Sequence, residues 1–134
     1  MRSITTDHTF FLNLDASLSF IEGDRDKLTQ VMKNLLSNAI KYSPQGGSIL
    51  VTKQREGHNV HIRVQDQGIG IPENALERIF TPYNRIASEK MRYIQGTGLG
   101  LAIVREIILM HEGKVWAESA AGEGSCFHIT LPLV

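Results

Sequence analysis

The sequence predicts an α+β protein: a two-layer α/β sandwich whose mixed, mostly antiparallel sheet is covered on one face by three helices. Strand patterns come in consecutive pairs, which favours antiparallel pairing over a doubly wound parallel sheet. Between the pairs run segments with apolar residues at helical spacing. The chain has 134 residues, 42% of them hydrophobic and 21% charged, which suits one compact domain with a real core.

The predicted order is ββ-α-ββ-α-lid-α-ββ. "HTFFLNL" (8–14) and "LSFIEG" (18–23) read as two short strands joined by a tight turn. "DRDKLTQVMKNLLSNAIKY" (24–42) reads as a long helix, with Asp24 as N-cap and Ser43-Pro44 followed by Gly46-Gly47 as its stop. "SILVTKQRE" and "NVHIRVQD" flank a turn at Gly57-His58. "PENALERIF" (72–80) reads as a short helix opened by Pro72. Residues 81–96 are polar and weakly periodic, and a connection of that length in a compact domain is more often a functional lid than a passive loop. "GLGLAIVREIILMHEG" (98–113) reads as a helix closing at Gly113. "KVWAES" and "SCFHITLPL" form a closing hairpin over Ala121-Gly122-Glu123-Gly124.

Composition removes several functions. Lys plus Arg and Asp plus Glu each number 14, so net charge gives no argument for nucleic acid or a membrane surface. A single cysteine, Cys126, excludes an internal disulfide framework and fits a reducing compartment. No apolar run reaches the roughly twenty residues of a membrane helix. The N-terminus lacks the pattern of a signal peptide and starts almost directly with a strand, as an excised piece of a longer protein would. His58 and His61 are three apart and point to opposite faces of a strand, so they are not expected to pair on a metal; His8 and His128 carry no partner signal.

The long helix has two faces. At about 100° per residue, Gln30, Asn38 and Lys41 fall within about 40° of Asn34 and form a polar stripe. Leu28, Val31, Met32, Leu35, Leu36, Ala39 and Ile40 form the core face. A polar stripe fits a solvated surface. It equally fits a ligand-facing row, in which a carboxamide oxygen is a hard ligand suited to Mg²⁺ beside phosphates. Two asparagines one turn apart are poor helix formers, which sets this stripe apart from an ordinary Lys and Gln face.

Two glycine runs stand out. "DQGIGIP" (66–72) places a carboxylate at a strand end before two glycines. It can be a side-chain-capped turn, or a loop that lets backbone approach a flat ligand while Asp66 accepts from an amino group such as that of adenine. "GTGLG" (96–100) opens a helix whose free N–H groups and dipole suit a phosphate. It is neither a Rossmann fingerprint nor a P-loop.

In order, "NLLSNAIKYSP" (34–44), "DQGIGIP" (66–72), "RIF" (78–80) and "GTGLGLAI" (96–103) resemble the N, G1, F and G2 boxes of sensor histidine kinases, over nearly the whole chain. The resemblance implies the Bergerat-type ATP-binding fold shared with DNA gyrase, Hsp90 and MutL. It implies one catalytic ATP-binding domain over residues 1–134, a lid at about 81–96, and a phosphoacceptor histidine on a separate domain. The implied cofactors are ATP and Mg²⁺. Asn38 would ligate the metal, Asn34 would lie beside the phosphates, and Lys41 and Tyr42 would contact phosphate and nucleotide. Asp66 would bind the adenine amino group, with Gly68 and Gly70 shaping the pocket and Ile71 as its wall or as plain core. Gly96, Thr97, Gly98, Leu99, Gly100 and Leu101 would hold the triphosphate and hinge the lid.

The family's F box often reads F-x-x-F-Y-R; here it is Phe80-Thr81-Pro82-Tyr83-Asn84-Arg85, with Asn84 in place of an aromatic. Arg85 would reach the γ-phosphate, with Lys90 and Arg92 as further lid cations. Asn34, Lys41 and Arg85 are thus the expected catalytic residues. Hydrolases of the fold keep a glutamate where this chain has Asn34, and a carboxamide is a poor general base, which favours transfer to a neutral imidazole. A hydrolase, a serine kinase and a nucleotide-binding module without transfer are the alternatives. The implied partners are the parent's helical dimerisation and histidine-phosphotransfer domain and a response-regulator receiver domain. The implied location is cytoplasmic, with neither nucleic acid nor membrane contact. His111-Glu112 has the dipeptide of an acceptor motif but reads as the end of a helix.

Overall fold

The computed structural model describes residues 8–14, 23–43, 46–71, 73–76, 78–81, 100–119 and 124–133. Among the described residues, five strands form one sheet: β1 (His8–Leu14), β2 (Gly47–Glu56), β3 (Asn59–Asp66), β4 (Lys114–Ser119) and β5 (Ser125–Pro132), in the order β1-β2-β3-β5-β4. Among the described residues, two α-helices, α1 (Arg25–Lys41) and α2 (Gly100–Met110), pack on it. The α/β sandwich expected from the sequence is present, with the sheet mixed as anticipated.

β1 has a partner that the sequence reading did not anticipate. β1 pairs parallel with β2, from His8 opposite Gly47 to Leu14 opposite Lys53. A parallel pair needs a crossover, and α1 supplies it. The expected strand at 18–23 lies outside the described residues apart from Gly23. The other neighbours, β2–β3, β3–β5 and β4–β5, are antiparallel.

Asp24 caps α1 from an extended conformation, its Oδ1 accepting from Asp26 N at 3.0 Å and Lys27 N at 3.1 Å. Such a cap contributes about 1 kcal/mol. The core face is as read: Val31, Leu35, Leu36 and Ala39 are buried. They meet alternate residues of one sheet face, Ile49 and Val51, Val60 and Val64, and Phe127, Ile129 and Leu131. Leu101, Val104, Ile107 and Ile108 of α2 complete the layer.

The segment 72–80 is not an α-helix over its described residues. It makes a 3₁₀ turn at Glu73–Ala75, followed by further i→i−3 bonds from Arg78 N to Ala75 O and from Thr81 N to Arg78 O. Ala75, Ile79 and Phe80 are buried in the core, so tertiary contacts hold a segment too short to sustain an α-helix. At the end of α2, the residue in the left-handed region is Glu112 (φ 60°), not Gly113. Gly113 is required by closeness instead: a Cβ there would lie 2.3 Å from Thr130 O.

The other sheet face carries an arrangement that spacing along one strand could not show. His61 Nε2 and His128 Nδ1 are 2.9 Å apart across β3 and β5, and both rings are buried. Trp116 of β4 stacks on His128, with centroids 4.9 Å apart and planes 3° from parallel. Glu56 meets His61 Nδ1 in a short contact. His128 Nε2 has no hydrogen-bond partner among the described residues, and Glu118 Oε1 lies 3.5 Å from it. Burial pushes the His128 imidazole below its ordinary range, against the opposing pull of Glu118.

Candidate nucleotide-binding site

The site has two ends, both anchored on α1. At one end the polar stripe turns out to face a protein neighbour. Asn34 Nδ2 donates to Gly100 O at 3.3 Å, joining α1 to the first residue of α2. Asn38 Nδ2 donates to Asn34 O at 2.8 Å. Both asparagines are half-buried, whereas Gln30 and Lys41 are exposed. The bond from Asn38 Nδ2 fixes the nitrogen side of its carboxamide on the helix backbone and leaves the oxygen as the group to offer a hard cation. A Cβ on Gly100 would stand 3.7 Å from Asn38 Nδ2 and 3.9 Å from Asn34 Cγ. The glycine therefore keeps clear the space between the asparagines and the start of α2.

At the other end, Asp66 closes β3 and is 2% exposed. Its Oδ1 accepts from Gly68 N at 2.9 Å and from Ser125 N at 3.2 Å. Its Oδ2 accepts from Ser125 Oγ at 2.6 Å. Register explains the meeting, because Gln65 pairs with Cys126 and brings Asp66 beside Ser125. A carboxylate offers about four acceptor positions on its two oxygens, and these three bonds use three of them.

The loop after Asp66 is hooked to the end of α1. Ile69 N donates to Tyr42 O at 2.9 Å. A Cβ on Gly68 would fall 1.9 Å from the same oxygen, so only glycine lets the two backbones approach. Gly70 has φ 75°, the left-handed region. Tyr42 is the C-cap of α1, its ring stacked on Phe127 at 6.3 Å. Its hydroxyl ionises above the ordinary tyrosine range, because of burial first and the Asp66 charge second.

Thus Asn34, Asn38 and Gly100 come together at one end, and Asp66, Gly68, Gly70 and Tyr42 at the other. Lys41 is exposed in the last turn of α1. Ile71 is fully buried in the core, and Leu101 is 6% exposed there. Phe80 packs edge-on to Phe127 at 6.4 Å, a core role for the F box. Gly96, Thr97, Gly98, Leu99, Arg85, Lys90 and Arg92 lie outside the described residues, as does the lid beyond Thr81. Sequence reading missed Ser125, which appeared only as the start of a strand; its partnership with Asp66 is a product of register. His111 is held between helix ends: Nδ1 donates to Ile107 O at 2.8 Å and Nε2 accepts from Asp24 N at 2.9 Å. That supports its reading as a helix-terminal residue.

Residues 23–134 match the family described as histidine kinase-, DNA gyrase B-, and HSP90-like ATPase. Sensor histidine kinase WalK of Bacillus subtilis is 42% identical over 125 residues, covering 92% of this chain and 20% of its own. Adaptive-response sensory kinase SasA of Thermosynechococcus vestitus is 44% identical over 125 residues, covering 92% of this chain and 32% of its own. The chain thus spans a third or less of these relatives. Among solved structures, a mycobacterial sensor histidine kinase, MprB, superposes with a TM-score of 0.84 at 33% identity, over 94% of this chain and 84% of that one. With the two-ended site and the sandwich beneath it, these matches show that the chain belongs to the histidine kinase-, DNA gyrase B- and HSP90-like ATPase family, on its sensor histidine kinase side.

Proposed function

We propose that this chain is the catalytic domain of a sensor kinase, which binds ATP with Mg²⁺ and transfers the γ-phosphate to a histidine on the parent's helical dimerisation domain. The observation that carries the reading is the convergence of Asn34 and Asn38 on the first residue of α2, with the Asp66 cradle at the other end of the same helix. Asp66 binds the adenine amino group, and Gly68 and Gly70 shape that pocket. Asn38 supplies an oxygen to the metal, which when bound neutralises charge on the phosphates. The free N–H groups at the start of α2 receive phosphate oxygens. Lys41 and, from the lid, Arg85 add positive charge. The whole protein then serves a response regulator, with this domain on the cytoplasmic side.

Asn34 argues for transfer over hydrolysis. Its amide nitrogen is spent on Gly100 O, and its oxygen cannot take a proton at neutral pH. An imidazole acceptor needs no such base, since its neutral form already carries a lone pair. The test mixes this domain, labelled ATP and the parent's helical histidine domain. Acid-labile, base-stable label on the histidine domain is the expected result. Phosphate release without label would make the domain a hydrolase.

A further inference from the structure

Ser119, at the end of β4, uses both hydrogen-bonding capacities of its hydroxyl on the rim of the Asp66 cradle. Its Oγ accepts from Ile71 N at 2.6 Å and donates to Gly124 O at 2.7 Å. Ile71 ends the glycine loop that begins at Asp66. Gly124 precedes Ser125, which gives Asp66 two hydrogen bonds. Gly124 itself is wedged against Asp66: its φ is 86°, and a Cβ there would stand 2.3 Å from Asp66 O. The hydroxyl therefore closes a ring that runs from Asp66 along the loop to Ile71, through Ser119 to Gly124, and by Ser125 back to the carboxylate.

From this ring we infer that Ser119 is a positioning residue for base recognition, holding the loop's far end in register with Asp66; the inference rests on the nucleotide-binding reading above. Three backbone N–H groups of the loop are tied, Gly68 N on Asp66 Oδ1, Ile69 N on Tyr42 O, and Ile71 N on Ser119 Oγ, and the Gln67 side chain accepts from Ser48 N at 3.0 Å. The first two bonds fix its beginning and middle. Gly70 lies between the second and the third and has the widest backbone freedom of any residue type. Without the third bond the exit of the loop is held by the packing of the buried Ile71 side chain alone, which fixes no backbone N–H, and the peptide between Gly70 and Ile71 can turn. The backbone that flanks the base then moves relative to the carboxylate that reads its amino group. Hydrogen-bond recognition degrades steeply with such misalignment.

The test titrates the domain calorimetrically with ATP, ADP and inosine triphosphate, whose base lacks the adenine amino group. Binding by the unaltered domain comes first; its absence would overturn the nucleotide-binding reading itself. Given that binding, Ser119→Ala should weaken ATP and ADP about equally, by roughly tenfold, the effect of about one net hydrogen bond. It should also narrow the preference for ATP over inosine triphosphate. Ser119→Thr, which keeps the hydroxyl, should restore both. Ser119→Cys, of similar size with a weaker donor and acceptor, should fall between and serves in place of alanine if that variant does not fold. Three results would overturn the inference: alanine or cysteine variants that bind like the parent, a threonine variant no better than alanine, or an unaltered ATP preference in a variant of weakened affinity.

Discussion

Replacing Asp66 by Asn separates the structural from the ligand-binding work of one carboxylate. Asp66 accepts two N–H bonds on Oδ1 and one hydroxyl bond on Oδ2. An asparagine has a single orientation that suits these partners. Its oxygen must take the Oδ1 place, because an NH₂ group there would face the N–H groups of Gly68 and Ser125. The NH₂ then stands where Oδ2 stood, and the Ser125 hydroxyl can turn to accept from it. The fold survives, at the cost of exchanging charge-assisted bonds for neutral ones. At about 1 kcal/mol per exchanged N–H bond, the loss is roughly 2 kcal/mol, well inside the usual 5–15 kcal/mol of a domain.

Adenine fares worse, because its amino group now meets a donor in place of an acceptor. The loss of a charge-assisted bond, about 1.5–3 kcal/mol, predicts affinity down tenfold to a hundredfold. Calorimetric titration at a temperature where the variant is folded measures it. A folded Asp66→Asn domain that binds ATP like the parent would refute the adenine assignment. Tyr42 gives an independent check that the charge has gone. Its ionisation is raised by burial and then by Asp66, so the tyrosinate titration should move toward the ordinary range while staying above it.

Asn38→Ala removes the bond to Asn34 O but gains helix propensity, so its melting temperature without nucleotide should stay near the parent's while the stabilisation by Mg-ATP is lost. Melting curves with and without Mg-ATP decide this, and retained stabilisation would place the metal elsewhere. Gly100→Ala should leave the domain as stable or more so, by up to about 1 kcal/mol, yet weaken ATP in titration, because the new methyl points toward Asn34 and Asn38. Since burial lowers the His128 ionisation, the unfolded chain takes that proton first, and stability should fall as pH drops below about 6.5. His128→Gln should flatten this limb of the pH–stability profile, and Glu118→Gln should steepen it by removing the charge that favours protonation.

What could be read from the sequence was local. Asp24 announces α1, and the spacing of Val31, Leu35, Leu36 and Ala39 gives its buried face, because cap and periodicity act within a few residues. The strands from β2 onward follow from alternation and turns. Pairing is a different matter. The parallel contact of β1 with β2 depends on a crossover of some thirty residues, and "HTFFLNL" carries no mark of it. The 73–80 turn is shaped by the burial of Ala75, Ile79 and Phe80, which overrides the helical look of "ENALERIF". In the site, motif glycines announced themselves through composition. Ser119, Ser125 and the His61–His128 pair did not, because each acts through a neighbour on another strand, and a serine or histidine in a strand has many uses.

On the proposed reading, α1 serves both ends of the nucleotide. Asn34 and Asn38 fix the end at α2, and Tyr42 fixes the glycine loop beside Asp66. At 1.5 Å per residue, Asn34 and Tyr42 stand about 12 Å apart along the axis. On that reading a rigid element sets the spacing between the base end and the phosphate end. That rigidity bears on the choice between transfer and hydrolysis. Asn34 is not free to swing into a basic role, because Gly100 O holds its amide nitrogen and the helix holds its backbone. Converting it to Glu would set a carboxylate against the Gly100 carbonyl and lose the bond between the helices. Asn34→Glu should therefore lose stability by about 1–3 kcal/mol in thermal melts and release little phosphate from ATP. A stable Asn34→Glu domain that hydrolyses ATP briskly would show that the identity of this one side chain, and not the packing around it, decides the reaction.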